Sequence, residues 1–279
     1  MSKAVDVHIH PPPEPGIPLS PLWEDACRYF GAVPPASVEE MAAKFQEVDI
    51  FANLLASDAR SARGELSVSN DYVAGIVKRY PETFMAFGSV DPWLGRAAIY
   101  EIERCAKELG LKGMKFLPSF QEFFPNELRF YPLWEKCQEL GMPIMIHSGT
   151  TGMGAGMPGG RGLHLKYAQP IPYIDDIAAD FPQLTIILAH PSWPWQEEQL
   201  AVALHKGNVY LDLSGWSPKY FSPSLVQYAN TLLQDKVMFG SDYPMILPER
   251  WLADFEKAPF KDEVRSKILR ENAKRVLDI

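Results

Sequence analysis

Leu184-Thr185-Ile186-Ile187-Leu188-Ala189-His190 is an apolar run closed by a single histidine. It does not alternate apolar with polar residues, so it does not read as a strand with one face in water. A continuous apolar strand implies a sheet covered on both faces, as parallel sheets are. The same pattern recurs along the chain. Upstream lie residues 4–8, 49–54, 84–89, 113–116 and 143–147, and downstream lie 209–213 and 237–240. Amphipathic segments at 38–48, 71–80, 96–109, 131–140, 174–181, 196–205 and 224–233 separate them. Eight strands alternating with helices predict an α/β fold, a closed (β/α)8 TIM barrel, better than an open doubly wound sheet. No GxGxxG follows the first strand, which weakens the open alternative further.

The length of 279 residues fits one such barrel, so residues 1–279 are read as a single domain. Hydrophobic residues at 47% and charged residues at 22% describe an ordinary globular chain. A net charge of −8 with no Lys/Arg-rich run argues against a nucleic-acid partner. No apolar stretch is long enough for a membrane span. The start, MSKAVDVHIH, lacks the apolar core of a signal peptide and enters a strand directly, so a cytoplasmic location is expected. Cys27, Cys105 and Cys137 are too few and scattered for a disulfide framework and are read as reduced.

Two stretches break the pattern. Residues 11–35 carry eight prolines and residues 148–170 carry seven glycines. Both follow strands and are read as long loops over the mouth where barrel enzymes place their chemistry. Residues 261–279 read as a closing amphipathic helix.

The chain has six histidines, and four fall at strand ends. His8 and His10 form an HxH at the end of the first strand; residues two apart on a strand share a face, so both imidazoles point into the mouth. Two neutral imidazoles on one rigid strand are half of a divalent-metal site. His147 closes the fifth strand, His190 the sixth, and Asp242 follows the eighth. A lone histidine at a strand end is more often a hydrogen-bonded residue than a ligand. The convergence of four histidines and a carboxylate on one mouth points instead to a metal centre.

Asp6-Val7-His8-Ile9-His10, Ile146-His147-Ser148-Gly149, Leu188-Ala189-His190-Pro191 and Phe239-Gly240-Ser241-Asp242-Tyr243-Pro244 together resemble the amidohydrolase superfamily. The likeness is stronger to the amidohydrolase-related branch that contains aminocarboxymuconate-semialdehyde decarboxylase and γ-resorcylate decarboxylase. It runs from the first strand to Glu271-Asn272-Ala273-Lys274-Arg275-Val276-Leu277. The resemblance implies one divalent metal held by His8, His10, His147 and Asp242, with His190 beside it as an acid/base or polarising group. Zinc is the first expectation, and manganese, iron or cobalt also suit three nitrogens and one oxygen. Members of the branch commonly form dimers, which allows a homodimer here.

Asp242 and His190 are therefore the candidate catalytic residues, Asp242 accepting a proton at the metal edge and His190 shuttling one. Lys115 ends the fourth strand and is read as a cation that binds a substrate carboxylate or pairs with an acid, with a carboxylated bridge between two metals as the alternative. Arg161 on the glycine-rich loop is a second candidate anion contact, alongside Lys166. Trp193 and Trp216 follow strands six and seven and are candidates for an aromatic wall. Asp6 is expected to be a supporting group, Asp212 a residue that orients a ligand, and His164 and His205 surface residues.

The partner these residues suit is a small anionic or aromatic molecule. The leading expectation is a metal-dependent hydrolase acting on a carbonyl-containing small acid, lactone or β-ketoacyl thioester. The segment Val209-Tyr210-Leu211-Asp212-Leu213-Ser214-Gly215-Trp216-Ser217-Pro218-Lys219-Tyr220 resembles branch members of that kind, and decarboxylases of the branch often carry Glu where this chain has His8. The alternative is non-oxidative decarboxylation of an aromatic or unsaturated acid. A non-catalytic, metal-binding barrel is the third reading, disfavoured because no expected ligand is missing.

Overall fold

The computed structural model describes residues 2–64 and 66–279. Eight parallel strands form the barrel: β1 (Ala4–Ile9), β2 (Ile50–Leu55), β3 (Phe84–Phe87), β4 (Met114–Phe116), β5 (Ile144–His147), β6 (Ile186–Ala189), β7 (Val209–Asp212) and β8 (Val237–Met238). They pair in chain order as a three-stranded and a five-stranded sheet. Two seams close the ring. At one, Val7 N donates to Phe239 O (3.0 Å) and Asp242 N to His8 O (2.9 Å). At the other, Gly88 N donates to Gly113 O (2.9 Å) and Lys115 N to Gly88 O (2.6 Å). With both seams bonded, no barrel strand is left as an open edge.

The expected elements appear at nearly the expected positions, because each apolar run buries two faces. Met145, Ile187 and Met238 fill the lumen with Val5, Val7 and Phe87, and Ala273 and Leu277 of the C-terminal helix pack beneath them. Their neighbours in sequence, such as Ile146, Leu188 and Val237, face the other way and pack on the helical layer. The helices begin where polar caps allow: Ser37 Oγ accepts from Glu40 N, Ser69 Oγ from Tyr72 N, and Ser222 Oγ from Leu225 N.

β1 departs from strict alternation. Asp6 pairs with Ala52 and Ile9 with Leu54, so three steps on β1 oppose two on β2. Such a bulge re-aims the side chains beyond it. It puts Val7 among the luminal residues while His8, next in sequence, still turns toward the luminal Asp212.

Residues 11–35 are not one loop. They contain a helix, Pro21–Phe30, with Ser20 as N-cap, proline at its first turn and Gly31 in the left-handed conformation at its end. The proline count concealed a helix start, where proline is tolerated. Residues 148–170 are irregular, apart from two single-turn segments, as expected. Features with no sequence counterpart include a small antiparallel ribbon (Ser57–Asp58 with Leu66–Val68), the helix Pro248–Lys257, and a π-turn at Lys267–Glu271 inside the C-terminal helix. Among the described residues no helix is long and apolar enough to cross a membrane.

Gly113, whose carbonyl helps close the second seam, is a position where only glycine fits. A Cβ there would lie 2.6 Å from the buried ring of Phe87, whereas one at Gly207 meets nothing within 4 Å. Overpacking of this kind costs about 1–3 kcal/mol. Gly113→Ala should therefore lower the thermal midpoint, followed by circular dichroism, by roughly 2–4 °C per kcal/mol lost. Gly207→Ala should leave it near the parent value, and equal effects of the two changes would contradict this packing.

Candidate metal centre

The luminal positions at the C-terminal ends of β1, β4, β5, β6 and β7 are polar where the lower layers are apolar. His8, Lys115, His147, His190 and Asp212 all lie there, and all are buried. Asp242, on the loop after β8, turns back over them. His190 and Asp242 both have positive φ (69° and 66°), an uncommon conformation for non-glycine residues that is concentrated at functional sites.

Hydrogen bonds fix which nitrogen of each imidazole carries its proton. His8 Nδ1 lies 2.7 Å from Asp212 Oδ2, so Nδ1–H donates and Nε2 keeps its lone pair. Asp212 is itself held by Ser214, whose hydroxyl donates to Oδ2 (2.7 Å) and whose N–H donates to Oδ1 (2.9 Å). His190 Nδ1 is 3.0 Å from the Ser214 carbonyl, which leaves His190 Nε2 an acceptor. His147 Nε2 is 3.1 Å from the Thr150 carbonyl, which leaves Nδ1 an acceptor.

The free lone pairs then converge. His190 Nε2 and His147 Nδ1 face each other at 3.1 Å. His8 Nε2 is 3.4 Å and His10 Nε2 3.1 Å from Asp242 Oδ1. Burial, with the nearby Lys115, pushes His147 down to about 3, and burial holds His8 and His190 well below the ordinary histidine range. Protonation is thus a poor way to relieve these facing acceptors, and a divalent cation bound among them would do so. Among the described residues, His8, His190 and Asp242 form a set whose ligand atoms lie within 4.8 Å of one another. His10 and His147 stand one contact further out, each touching a member of that set. The donor chemistry fits a divalent metal.

Gly215 shows how closely the loop after β7 is pressed onto this cluster. A Cβ at that position would meet His190 Nδ1 at 2.6 Å and Asp242 Oδ2 at 3.3 Å. Asp6 sits behind the cluster, its Oδ1 accepting from Ser241 N (2.9 Å) and His8 N (3.2 Å). It ties β1 to the loop that carries Asp242, as a supporting group should.

Lys115 is the unusual member. Its Nζ is fully buried and has no hydrogen-bond partner among the described residues. Burial lowers its affinity for a proton, and the charges of Asp212 and Asp242 oppose that effect. Lys115, the histidines and Asp242 line a cleft of about 650 Å³, and Trp193 and Trp216 stand on its wall with ring centroids 6.4 Å apart. Trp23, Tyr220 and Arg250 also line it, none of which ends a strand or carries a sequence signal.

Arg161 is placed elsewhere. Its guanidinium makes a two-pronged contact with the buried Asp25 carboxylate (2.7 and 3.3 Å), so it straps the glycine-rich loop to the helix Pro21–Phe30. It is not among the residues lining the cleft. Lys166 stacks over Tyr167 and Phe124, and His164 and His205 lie on the surface as expected.

The chain is 30% identical over 185 residues to 2-keto-4-carboxy-3-hexenedioate hydratase from Sphingobium sp., covering 62% of this chain and 49% of that protein. It is 31% identical over 78 residues to 2-amino-3-carboxymuconate-6-semialdehyde decarboxylase from Dictyostelium discoideum, covering 28% and 22%. The matches thus span half or less of these curated relatives. A TIM-barrel protein from Bordetella bronchiseptica of uncharacterised function superposes over 99% of this chain and 98% of its own, with 26% identity and a TM-score of 0.81. The family model described as Amidohydrolase matches residues 5–279. The chain belongs to the amidohydrolase family, in the branch that includes aminocarboxymuconate-semialdehyde and γ-resorcylate decarboxylases.

Proposed function

We propose that this protein is a metal-dependent carboxy-lyase that removes carbon dioxide from an aromatic or unsaturated carboxylic acid. The observation that carries this reading is Lys115. A buried ammonium whose Nζ makes no hydrogen bond is costly even with Asp212 and Asp242 nearby, and it stands beside the donor cluster where a substrate carboxylate would supply the missing partner. Esters and lactones offer no such charge. The relatives that match in sequence include two decarboxylases, which also favours decarboxylation over the hydrolysis expected from the sequence.

In this reading His8, His10, His147 and Asp242 hold the metal, zinc by preference for a set of three nitrogens and one oxygen, with manganese an alternative. When bound, the metal would supply positive charge that polarises the substrate and stabilises the electron pair left as carbon dioxide departs. Asp212 and Ser214 keep His8 in the ligating tautomer. Lys115 orients the carboxylate. Trp193 and Trp216 flank the planar body of the acid. His190 and Asp242 face the cleft and relay the one proton that the reaction consumes, taken up from solvent and passed to the carbon that loses its carboxylate.

Metal analysis by plasma mass spectrometry should find close to one divalent ion per chain. His8→Ala/His10→Ala should lose it while its circular dichroism spectrum stays that of the parent. A double mutant that keeps its metal would contradict the site.

A panel of hydroxybenzoates and unsaturated carboxylic acids should yield a substrate that releases carbon dioxide. Removing a hydrogen bond to a charged group costs about 1.5–3 kcal/mol, so Lys115→Met should lower kcat/KM for that substrate roughly 10- to 100-fold. Turnover confined to esters or lactones, indifferent to Lys115→Met, would contradict the proposal.

A further inference from the structure

The donor cluster faces two spaces. Beside the main cleft is a smaller chamber of about 50 Å³, and His10, Trp23, Lys115, Leu117 and Met153 line both. The chamber's remaining wall is largely apolar, built from Ile17, Pro18, Ala56, Val68 and Phe120. It lies between the proline-rich loop after β1 and the ends of β2 and β4. Glu14 also lines it, but its carboxylate is engaged, accepting from Ser69 N (2.8 Å) and Ser69 Oγ (2.9 Å). Leu117 and Phe120 pack with Leu22 and Ala59, and Trp23 stands edge-on to His10 at 4.9 Å. The helix Pro21–Phe30 therefore helps to form the chamber and the cleft at once.

A water needs roughly 10–15 Å³ of such volume, so the chamber has room for three or four heavy atoms. Its lining suits hydrocarbon better than water. The carboxylate of Glu14 on one side repels a second anion, and Lys115 on the shared wall attracts a first.

We propose that this chamber is a subsite for a short, uncharged hydrocarbon substituent carried next to the carboxylate that Lys115 holds. The substrate class is then a monocarboxylic acid with an ortho or α substituent of about two to four carbons, not a di- or tricarboxylate. This inference rests on the carboxylate-binding role given to Lys115 under the proposed function, and it adds what lies beside that carboxylate.

The test is equilibrium binding of benzoate, 2-methyl-, 2-ethyl-, 2-propyl- and 2-pentylbenzoate to the metal-containing protein, by titration calorimetry. Burying one methylene tightens binding about fourfold. Affinity should rise by about that factor per carbon up to propyl and fall at pentyl, when the chamber is full. Ala56→Leu places its extra carbons in the chamber and should erase the propyl-to-benzoate ratio. Phe120→Leu opens the wall and should move the optimum to a longer chain, which keeps the proposal testable if Ala56→Leu does not fold. A flat series in the parent protein, a ratio that survives Ala56→Leu, or tighter binding of phthalate than of 2-ethylbenzoate overturns the subsite alone. Failure of every member, benzoate included, overturns the carboxylate site at Lys115 and the chamber with it.

Discussion

The contact on which the rest of this site depends is the 2.7 Å hydrogen bond from His8 Nδ1 to Asp212. Both partners are buried, so neither can turn to water for a substitute. Because a carboxylate only accepts, the bond leaves the His8 lone pair on Nε2, facing Asp242. Ser214 extends the control, holding Asp212 with its hydroxyl and amide and the His190 tautomer with its carbonyl. One serine on the loop after β7 thus sets the direction of two imidazoles that come from β1 and β6.

The barrel makes this arrangement rigid. Parallel pairing in chain order sets His147, Ala189 and Asp212 level with one another, and His190 follows directly after Ala189. The apolar layers below exclude water, which favours the neutral forms of His8, His147 and His190 and leaves Lys115 without a solvent partner. The same desolvation that prepares imidazoles to bind a metal makes the lone ammonium costly. In the proposed reading a cation among the imidazoles and an anion at Lys115 would offset both costs.

Much of this was legible in the sequence. The eight apolar runs fixed the strands to within two or three residues, because a strand covered on both faces must be apolar throughout. His8, His10, His147, His190 and Asp242 could be found because each interrupts such a run at its end. The bulge in β1 was not legible, since it depends on register against β2 and not on composition. The helix Pro21–Phe30 was hidden by prolines that its first turn tolerates. Arg161 was misjudged for a different reason: its partner, Asp25, lies 136 residues away, and no local pattern announces that pairing. Trp23 and Arg250 reach the cleft from helices, where sequence position gives no hint of a luminal role.

The central claim is that these buried imidazoles and Asp242 exist to hold one divalent cation. Anomalous diffraction from crystals of the protein grown with zinc tests it most directly. The account predicts a single peak with His8, His10, His147 and Asp242 at roughly 2.0–2.2 Å. His190 should stand beside the ion without bonding to it. A peak bonded to His190 in place of His147 would reverse the division of roles between that pair. A peak outside the cluster, or none at all, would contradict the metal centre itself.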